Sequence, residues 1–221
     1  MSSKKRIVTI TGATGFVGRV TVARLLEEQD IQVRCMLRPG SDSSALAALS
    51  DKLTFCEGDI TQPATLEPAF KGSWGVINLA GYREFWARDR DHFYAINQHG
   101  AENVFRGCLA ARVDKVVQVS TPLAYGVPKK LPFKEDSAAG PHPSDYGRSK
   151  FLGDTAGWDL HREAGLPLTI VYLAAVIGAG DTAMDCARSA WRLGSKVSVV
   201  YRRTIDQMPA DREEVRALLV E

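Results

Sequence analysis

The sequence predicts an α/β protein built on a doubly wound parallel sheet of about seven strands, with helices on both faces. Three observations carry that prediction. Short runs rich in β-branched residues alternate with segments of helical periodicity, the β-α-β order of a parallel sheet. Several strands, "GVINLA" at 75–80 among them, are nearly continuous apolar runs, as expected of strands buried on both sides. A glycine-rich turn, "TGATGFVG" at 11–18, follows the first strand directly and opens the first helix.

The elements follow in order. "RIVTI" (6–10) reads as a strand, and 14–28 as a helix carrying Val17, Val20, Val22, Leu25 and Leu26 at helical spacing. "QVRCMLR" (32–38) is a second strand, ended by Pro39-Gly40. "LTFCEGD" (53–59) and "GVINLA" (75–80) are the third and fourth strands. Residues 90–112 form a long helix, and "KVVQVS" (115–120) a fifth strand. A proline-rich loop covers 122–143, and a helix from Tyr146 to Glu163 is stopped by Gly165-Leu166-Pro167. "LTIVYL" (168–173) is the sixth strand, which Val176–Gly178 either extends or follows as another. A helix at 183–193, a last strand "KVSVVYR" (196–202) and a helix from Glu213 to Val220 complete the pattern.

The net charge of +2 gives no argument for nucleic acid as a partner. The longest apolar run, from Leu168 to Gly180, is too short to span a bilayer, and the basic start "MSSKKRIVTI" lacks the apolar stretch of a signal peptide. A cytoplasmic protein without a membrane partner is expected. Cys35, Cys56, Cys108 and Cys186 show no C-x-x-C spacing, so reduced thiols are expected and no metal site.

Gly12, Gly15 and Gly18 form a dinucleotide-binding fingerprint. One glycine makes the tight turn, one lets the backbone approach a pyrophosphate, and one lets the helix pack on the sheet. The helix N-terminus offers free N–H groups and partial positive charge to the phosphates. An acidic residue ending the second strand would favour NAD, but here Arg34 lies in that strand and Arg38 ends it. A guanidinium there suits a 2′-phosphate, so NADP is the expected cofactor and NAD the alternative. Asp59, after the third strand, is a candidate for the adenine amino group or a turn residue.

"TGATGFVG", "GDI" (58–60), "NLAG" (78–81), "ST" (120–121) and "YGRSK" (146–150) together resemble the extended short-chain dehydrogenase/reductases, the NAD-dependent epimerase/dehydratase family. Order and spacing match over roughly residues 5–180. The branch of nucleotide-sugar epimerases, dihydroflavonol reductases and 3β-hydroxysteroid dehydrogenases is the most similar in flavour. The resemblance implies a Rossmann fold with Gly12, Gly15, Phe16, Gly18, Arg38, Asp59, Ile60, Leu79, Ala80, Gly81 and Lys150 around the cofactor. It further implies a homodimer through helices 90–112 and 146–163. Asn97 falls in that family's N-x-x-G-x-x-N helix, where its role is structural.

Tyr146 and Lys150 stand four apart on a helix and share a face. A tyrosine with a pKa of about 10 is a poor base at neutral pH, and a neighbouring ammonium favours the phenolate. Such a pair can exchange a proton with a carbinol or carbonyl oxygen while hydride moves to or from a nicotinamide. Thr121, at the end of the fifth strand, takes the family's place for the hydroxyl that binds the substrate oxygen. Two departures stand out. Pro122-Leu123 replaces the acidic pair of sugar 4,6-dehydratases, which disfavours dehydration. Tyr172-Leu173 replaces the family's usual Arg-Pro.

Past Val176 the resemblance changes. Gly178-x-Gly180-x-x-Ala183 and the following "VSVVYRR" resemble the NADPH-binding segment of glutamate synthase small subunits and dihydropyrimidine dehydrogenases. There the arginines accept the 2′-phosphate; here they would be Arg202 and Arg203. The fragment is expected to serve as architecture, its helix covering the sheet and "KVSVVYR" adding an edge strand, and a weak second phosphate site at Gly178, Gly180, Arg202 and Arg203 is the alternative. The expected organisation is a nucleotide-binding domain over 1–176 and a grafted βα fragment over 177–221 packing on the same sheet, with the substrate lobe largely missing. The expected function is an NADP(H)-dependent oxidoreductase or epimerase acting on a hydroxyl or carbonyl of a small molecule. The alternative is a cofactor-binding chimera with little turnover.

Overall fold

The computed structural model describes residues 5–84, 87–127, 134, 136–173 and 212–213. The chain divides into two units, Met1–Tyr172 and Leu173–Glu221, and the sheet with its helices belongs to the first. The expected elements at 176–178, 183–193, 196–202 and 213–220 lie outside the described residues, Glu213 apart, as do Gly178, Gly180, Arg202 and Arg203.

The element order is β1 (Arg6–Thr11), α1 (Phe16–Leu26), β2 (Ile31–Leu37), α2 (Ser44–Ala47), β3 (Thr54–Glu57), α3 (Leu66–Phe70), β4 (Gly75–Asn78), α4 (Asp91–Tyr94), α5 (Ala101–Ala110), β5 (Lys115–Ser120), α6 (Asp145–Ala164) and β6 (Leu168–Tyr172). Among the described residues the sheet has six strands, in the order β3-β2-β1-β4-β5-β6. Every pairing is parallel. The order reverses between β1 and β4, which makes the carboxyl ends of those strands the switch point where ligands bind in such sheets.

Each face of the sheet has its own core. Val8, Ile10, Val22, Val33, Cys35 and Leu46 pack under α1 and α2. Leu66, Phe70, Val76, Val104, Phe105 and Val116 pack under α3 and α5. Phe70 and Phe105 are fully buried, worth about 2–3 kcal/mol each in transfer from water. Cys35, Cys56 and Cys108 are free thiols; burial holds the Cys35 thiol up at about 11.

The long helix expected at 90–112 is three pieces. Between α4 and α5 the backbone widens into a π-helical turn over Ala95–Gly100. The widening is a local insertion into helical hydrogen bonding, which apolar periodicity does not report. Two short helices, α2 and α3, were not expected either; four or five residues are too few to establish a period. Inside the expected proline-rich loop, Pro122–Tyr125 forms a 3-10 turn. The helix at 146–163 begins one residue earlier, at Asp145, with Ser144 Oγ accepting the Gly147 N–H as its cap. It ends at Gly165 in the left-handed region, φ 69°, as the glycine predicts.

A buried polar ladder crosses the carboxyl ends of three strands. Thr11 pairs in register with Asn78, and Asn78 with Gln118. The Thr11 hydroxyl donates to Asn78 Oδ1 at 2.5 Å, and Asn78 Nδ2 donates to Gln118 Oε1 at 2.7 Å. Thr11 Oγ1 also accepts the Ala80 N–H at 3.2 Å, which fixes the loop leaving β4. No helix among the described residues is long and apolar enough to cross a membrane.

Candidate active site

The glycine turn after β1 has three different environments. Gly12 is at φ 66°, and a Cβ there would stand 2.7 Å from the Ala80 nitrogen. A Cβ on Gly18 would stand 2.2 Å from the Gly12 carbonyl oxygen, so this glycine lets α1 seat on the turn. A Cβ on Gly15 would meet only that same oxygen, at 3.2 Å, with open space beyond. Gly15 is the N-cap of α1, and no side chain caps that helix. The first turn of α1 thus keeps free N–H donors facing open space, the arrangement that receives an anion. Phe16, 54% exposed, stands beside it.

The residues expected around the adenosine divide into two groups. Arg38 is exposed just past β2, and its carbonyl closes a turn with the Ser41 N–H. Arg34 is committed elsewhere: its guanidinium donates to the Ala69 and Lys71 carbonyls at the end of α3. Arg19, on α1, was not singled out by sequence. Its charge reaches Asp42 in the loop after β2, which places it near the same loop as Arg38. Asp42 itself accepts the Ser44 N–H at the start of α2. Asp59 Oδ1 accepts both the N–H and the hydroxyl of Thr61, so the turn role expected of it is present. Ile60 is buried against Gly100, with its carbonyl held by Asn103 Nδ2 at 2.8 Å. Leu79 and Ala80 are half-buried and Gly81 exposed, all at the carboxyl end of β4.

Tyr146, Lys150, Asp154 and Trp158 follow one another at four-residue intervals on α6 and so form one stripe. Thr121, just past the end of β5, accepts the Leu123 N–H on its hydroxyl and lies near enough to Tyr146 to lower the phenol's pKa. Lys150 is only 5% exposed, and its ammonium donates to the Val119 carbonyl at 2.7 Å. The structure brings Thr121 and Tyr146 together, whereas the Lys150 amine points at β5. That departs from the expected electrostatics. Burial dominates and raises the Tyr146 pKa, while the charge of Arg83 and the nearby Thr121 hydroxyl lower it. Burial likewise pushes the Lys150 pKa down, opposed by the charge of Asp154.

Sequence reasoning missed Asp154, although Tyr-x-x-x-Lys-x-x-x-Asp at helical spacing was there to find it. Asp154 is 4% exposed, and its Oδ2 accepts the Ser120 hydroxyl at 2.5 Å. Burial lifts its pKa to about 6. Asn97 ties the parts together: Nδ2 donates to the Tyr82 carbonyl and to Ser149 Oγ, and Oδ1 accepts the Tyr82 N–H. The loop after β4 is thereby pinned to α6. Tyr172 packs against Tyr125 in a tilted arrangement, with ring centroids 5.0 Å apart. Among the described residues no group of His, Cys, Asp and Glu is arranged to hold a metal ion.

A parallel sheet of order 3-2-1-4-5-6, a glycine turn opening α1 and a Thr-Tyr-Lys cluster at the carboxyl end of β5 define a dinucleotide-binding-type α/β protein. The chain belongs to the NAD dependent epimerase/dehydratase family, which it matches over residues 8–199. It is 32% identical over 118 residues to a putative dihydroflavonol 4-reductase of Synechocystis, covering 53% of this chain and 33% of that one. The fold is that of a UDP-glucuronic acid 4-epimerase from Bacillus cereus solved with NAD: TM-score 0.68, 23% identity, 78% of this chain and 57% of that one. A separate match of 46 residues, 20% of this chain, is 56% identical to the putative oxidoreductase YgfK of Escherichia coli O157:H7, of which it covers 4%. The chain spans 33–41% of the length of three of the curated relatives it matches, the Synechocystis protein among them.

Proposed function

We propose that this chain is an NADP(H)-dependent oxidoreductase or epimerase acting on a hydroxyl or carbonyl group of a small molecule of the sugar-nucleotide, flavonoid or sterol-like class. The observation that carries the reading is the placement of Tyr146 and Lys150 one helical turn apart on α6, with Lys150 tied to the Val119 carbonyl of β5, the strand that leads into Thr121. The open space over Gly15 and the uncapped first turn of α1 fit a dinucleotide pyrophosphate. Gly12, Gly15, Gly18 and the loop from Leu79 to Gly81 would hold it, and Arg38, with Arg19 beside the same loop, would meet a 2′-phosphate. When bound, the nicotinamide supplies or accepts hydride.

The chain's own residues handle the proton. Thr121 orients the substrate oxygen against the Tyr146 phenol, and Tyr146 gives or takes the proton there. Lys150 supplies positive charge next to that exchange and a donor for the nicotinamide ribose. Half-buried Tyr146, its pKa raised by burial, stays protonated at neutral pH in this state, the form needed to donate to a carbonyl being reduced. The same reading includes a homodimer through helices 90–112 and 146–163. Fluorescence titration with NADPH and NADH, followed by a carbonyl-substrate screen of wild type and Tyr146→Phe, tests it. Saturable binding, tighter for NADPH, with turnover lost in Tyr146→Phe supports the reading; no binding of either nucleotide overturns it.

The 46-residue match to YgfK favours a second reading, in which the chain is a composite. We infer that residues 177–221 are a nucleotide-binding fragment of flavoprotein type, joined to a reductase-type domain, with Gly178, Gly180, Arg202 and Arg203 as its phosphate contacts. A composite of this kind binds cofactor with little turnover. Two binding steps for NADPH, the weaker one lost in Arg202→Ala/Arg203→Ala, would support it; one step unchanged in that variant argues against it.

A further inference from the structure

Lys150 and Asp154 are the only buried charged side chains among the described residues, and they lie one helical turn apart on the same face of α6. A buried charge is tolerated when it is paired, and among the described residues the other buried charge is the candidate partner of each. Ser120 holds one oxygen of Asp154 at 2.5 Å, whereas the other, Oδ1, is buried without a hydrogen-bond partner among the described residues. The Lys150 ammonium is satisfied by a neutral carbonyl, that of Val119.

We propose that Asp154 is the positioning residue for Lys150: its carboxylate, anchored by Ser120, is the counter-charge that keeps the buried amine an ammonium, one helical turn from Tyr146. This rests on the reading of Lys150 as the cation of the active face. The surroundings of Asp154 leave few competitors. From α6 it is faced by Lys150 and Tyr146, and from β6 by Tyr172, which is itself paired with Tyr125. From β5 comes the Ser120 hydroxyl. The atoms packed closest against Gly153 and Gly157 belong to the Asn97 carbonyl, Ala101, Phe105 and Leu168. His161, nearly two turns further along α6, is engaged with the Leu166 carbonyl. Among the described residues the negative charge that acts on Lys150 is that of Asp154, and the Ser120 hydrogen bond favours its ionised form.

The test is an NMR titration of the Lys150 Nζ and Cε signals in the cofactor-free full chain, labelled at lysine and assigned with Lys150→Arg. In wild type the Lys150 signal should show a step near pH 6 as Asp154 ionises. In Asp154→Asn that step disappears, and the Lys150 midpoint falls by about one pH unit or more as the opposite charge is removed. Asp154→Glu should restore the midpoint toward wild type. Coincident Lys150 midpoints in wild type and Asp154→Asn overturn the proposal. Should Asp154→Asn not fold, Ser120→Ala decides: a step moved to higher pH supports the proposal, and an unmoved or absent step overturns it. No cofactor or turnover enters this measurement, so its outcome is separate from that of the Tyr146→Phe assay.

Discussion

The Lys150 ammonium on α6 donates to the Val119 carbonyl on β5 at 2.7 Å, which ties the helix bearing Tyr146 to the strand that ends at Thr121. Replacing Lys150 by methionine removes the tether and the charge while filling much of the space. Turnover should vanish, and stability should drop by about 1–3 kcal/mol, the cost of leaving buried Asp154 without its counter-charge after partial relief by protonation. Denaturant unfolding beside an activity assay separates the two effects.

Gly15 and Gly18 should fail differently. Gly18→Ala drives a Cβ into the Gly12 carbonyl, which is backbone and cannot step aside, so loss of the fold or destabilisation by about 3 kcal/mol or more is expected. Gly15→Val projects into the open space at the start of α1 and should leave the melting temperature close to wild type while abolishing measurable NADPH binding. Circular dichroism with a fluorescence titration distinguishes them.

Arg38 is exposed beside the loop that follows β2. Arg38→Ala should weaken NADPH by about 1.5–3 kcal/mol, the scale of a charge-assisted hydrogen bond, and leave NADH nearly unchanged. Equal losses for both nucleotides would assign the residue to the fold or to a shared part of the cofactor.

Asp154 also imposes a pH dependence on stability. Its folded pKa, about 6, lies above the unfolded value of 3.8, so the native state binds this proton more tightly. The resulting stabilisation is complete below the unfolded pKa and is lost as pH rises through the folded one, by on the order of 3 kcal/mol. Urea unfolding of wild type should lose stability between about pH 4 and 6 through this group, and Asp154→Asn should remove that component of the slope.

Ser144 caps α6, whose first two turns carry Tyr146 and Lys150. Ser144→Ala should cost about 1 kcal/mol, with little change in nucleotide affinity.

The β-α-β order of the first six strands was legible because parallel, doubly buried strands are apolar and bounded by glycine and proline. Gly12, Gly15 and Gly18 were legible for a similar reason: few residues tolerate so close a backbone approach. Arg34 and Arg38 show where legibility ends. Both are basic, Arg34 within the second strand and Arg38 just past its end, but only the folded chain shows Arg34 spent on the carbonyls at the end of α3. The Lys150 amine is another case. Helical spacing gave its face, whereas the direction of its ammonium depends on a strand carbonyl more than thirty residues away. The π-helical turn at Ala95–Gly100 leaves no trace in apolar periodicity, because it shifts hydrogen bonding rather than composition.

The buried ladder from Thr11 through Asn78 to Gln118 bears on how this chain can be recombined with its relatives. Each member donates to or accepts from a residue supplied by a different stretch of sequence. A crossover placed between residues 11 and 78, or between 78 and 118, would join halves whose amides and hydroxyl were chosen for other partners. A seam beyond Gln118 leaves the set whole. The three residues therefore travel as one inheritable block, and libraries that respect that block should return a larger share of folded progeny than libraries that cut through it.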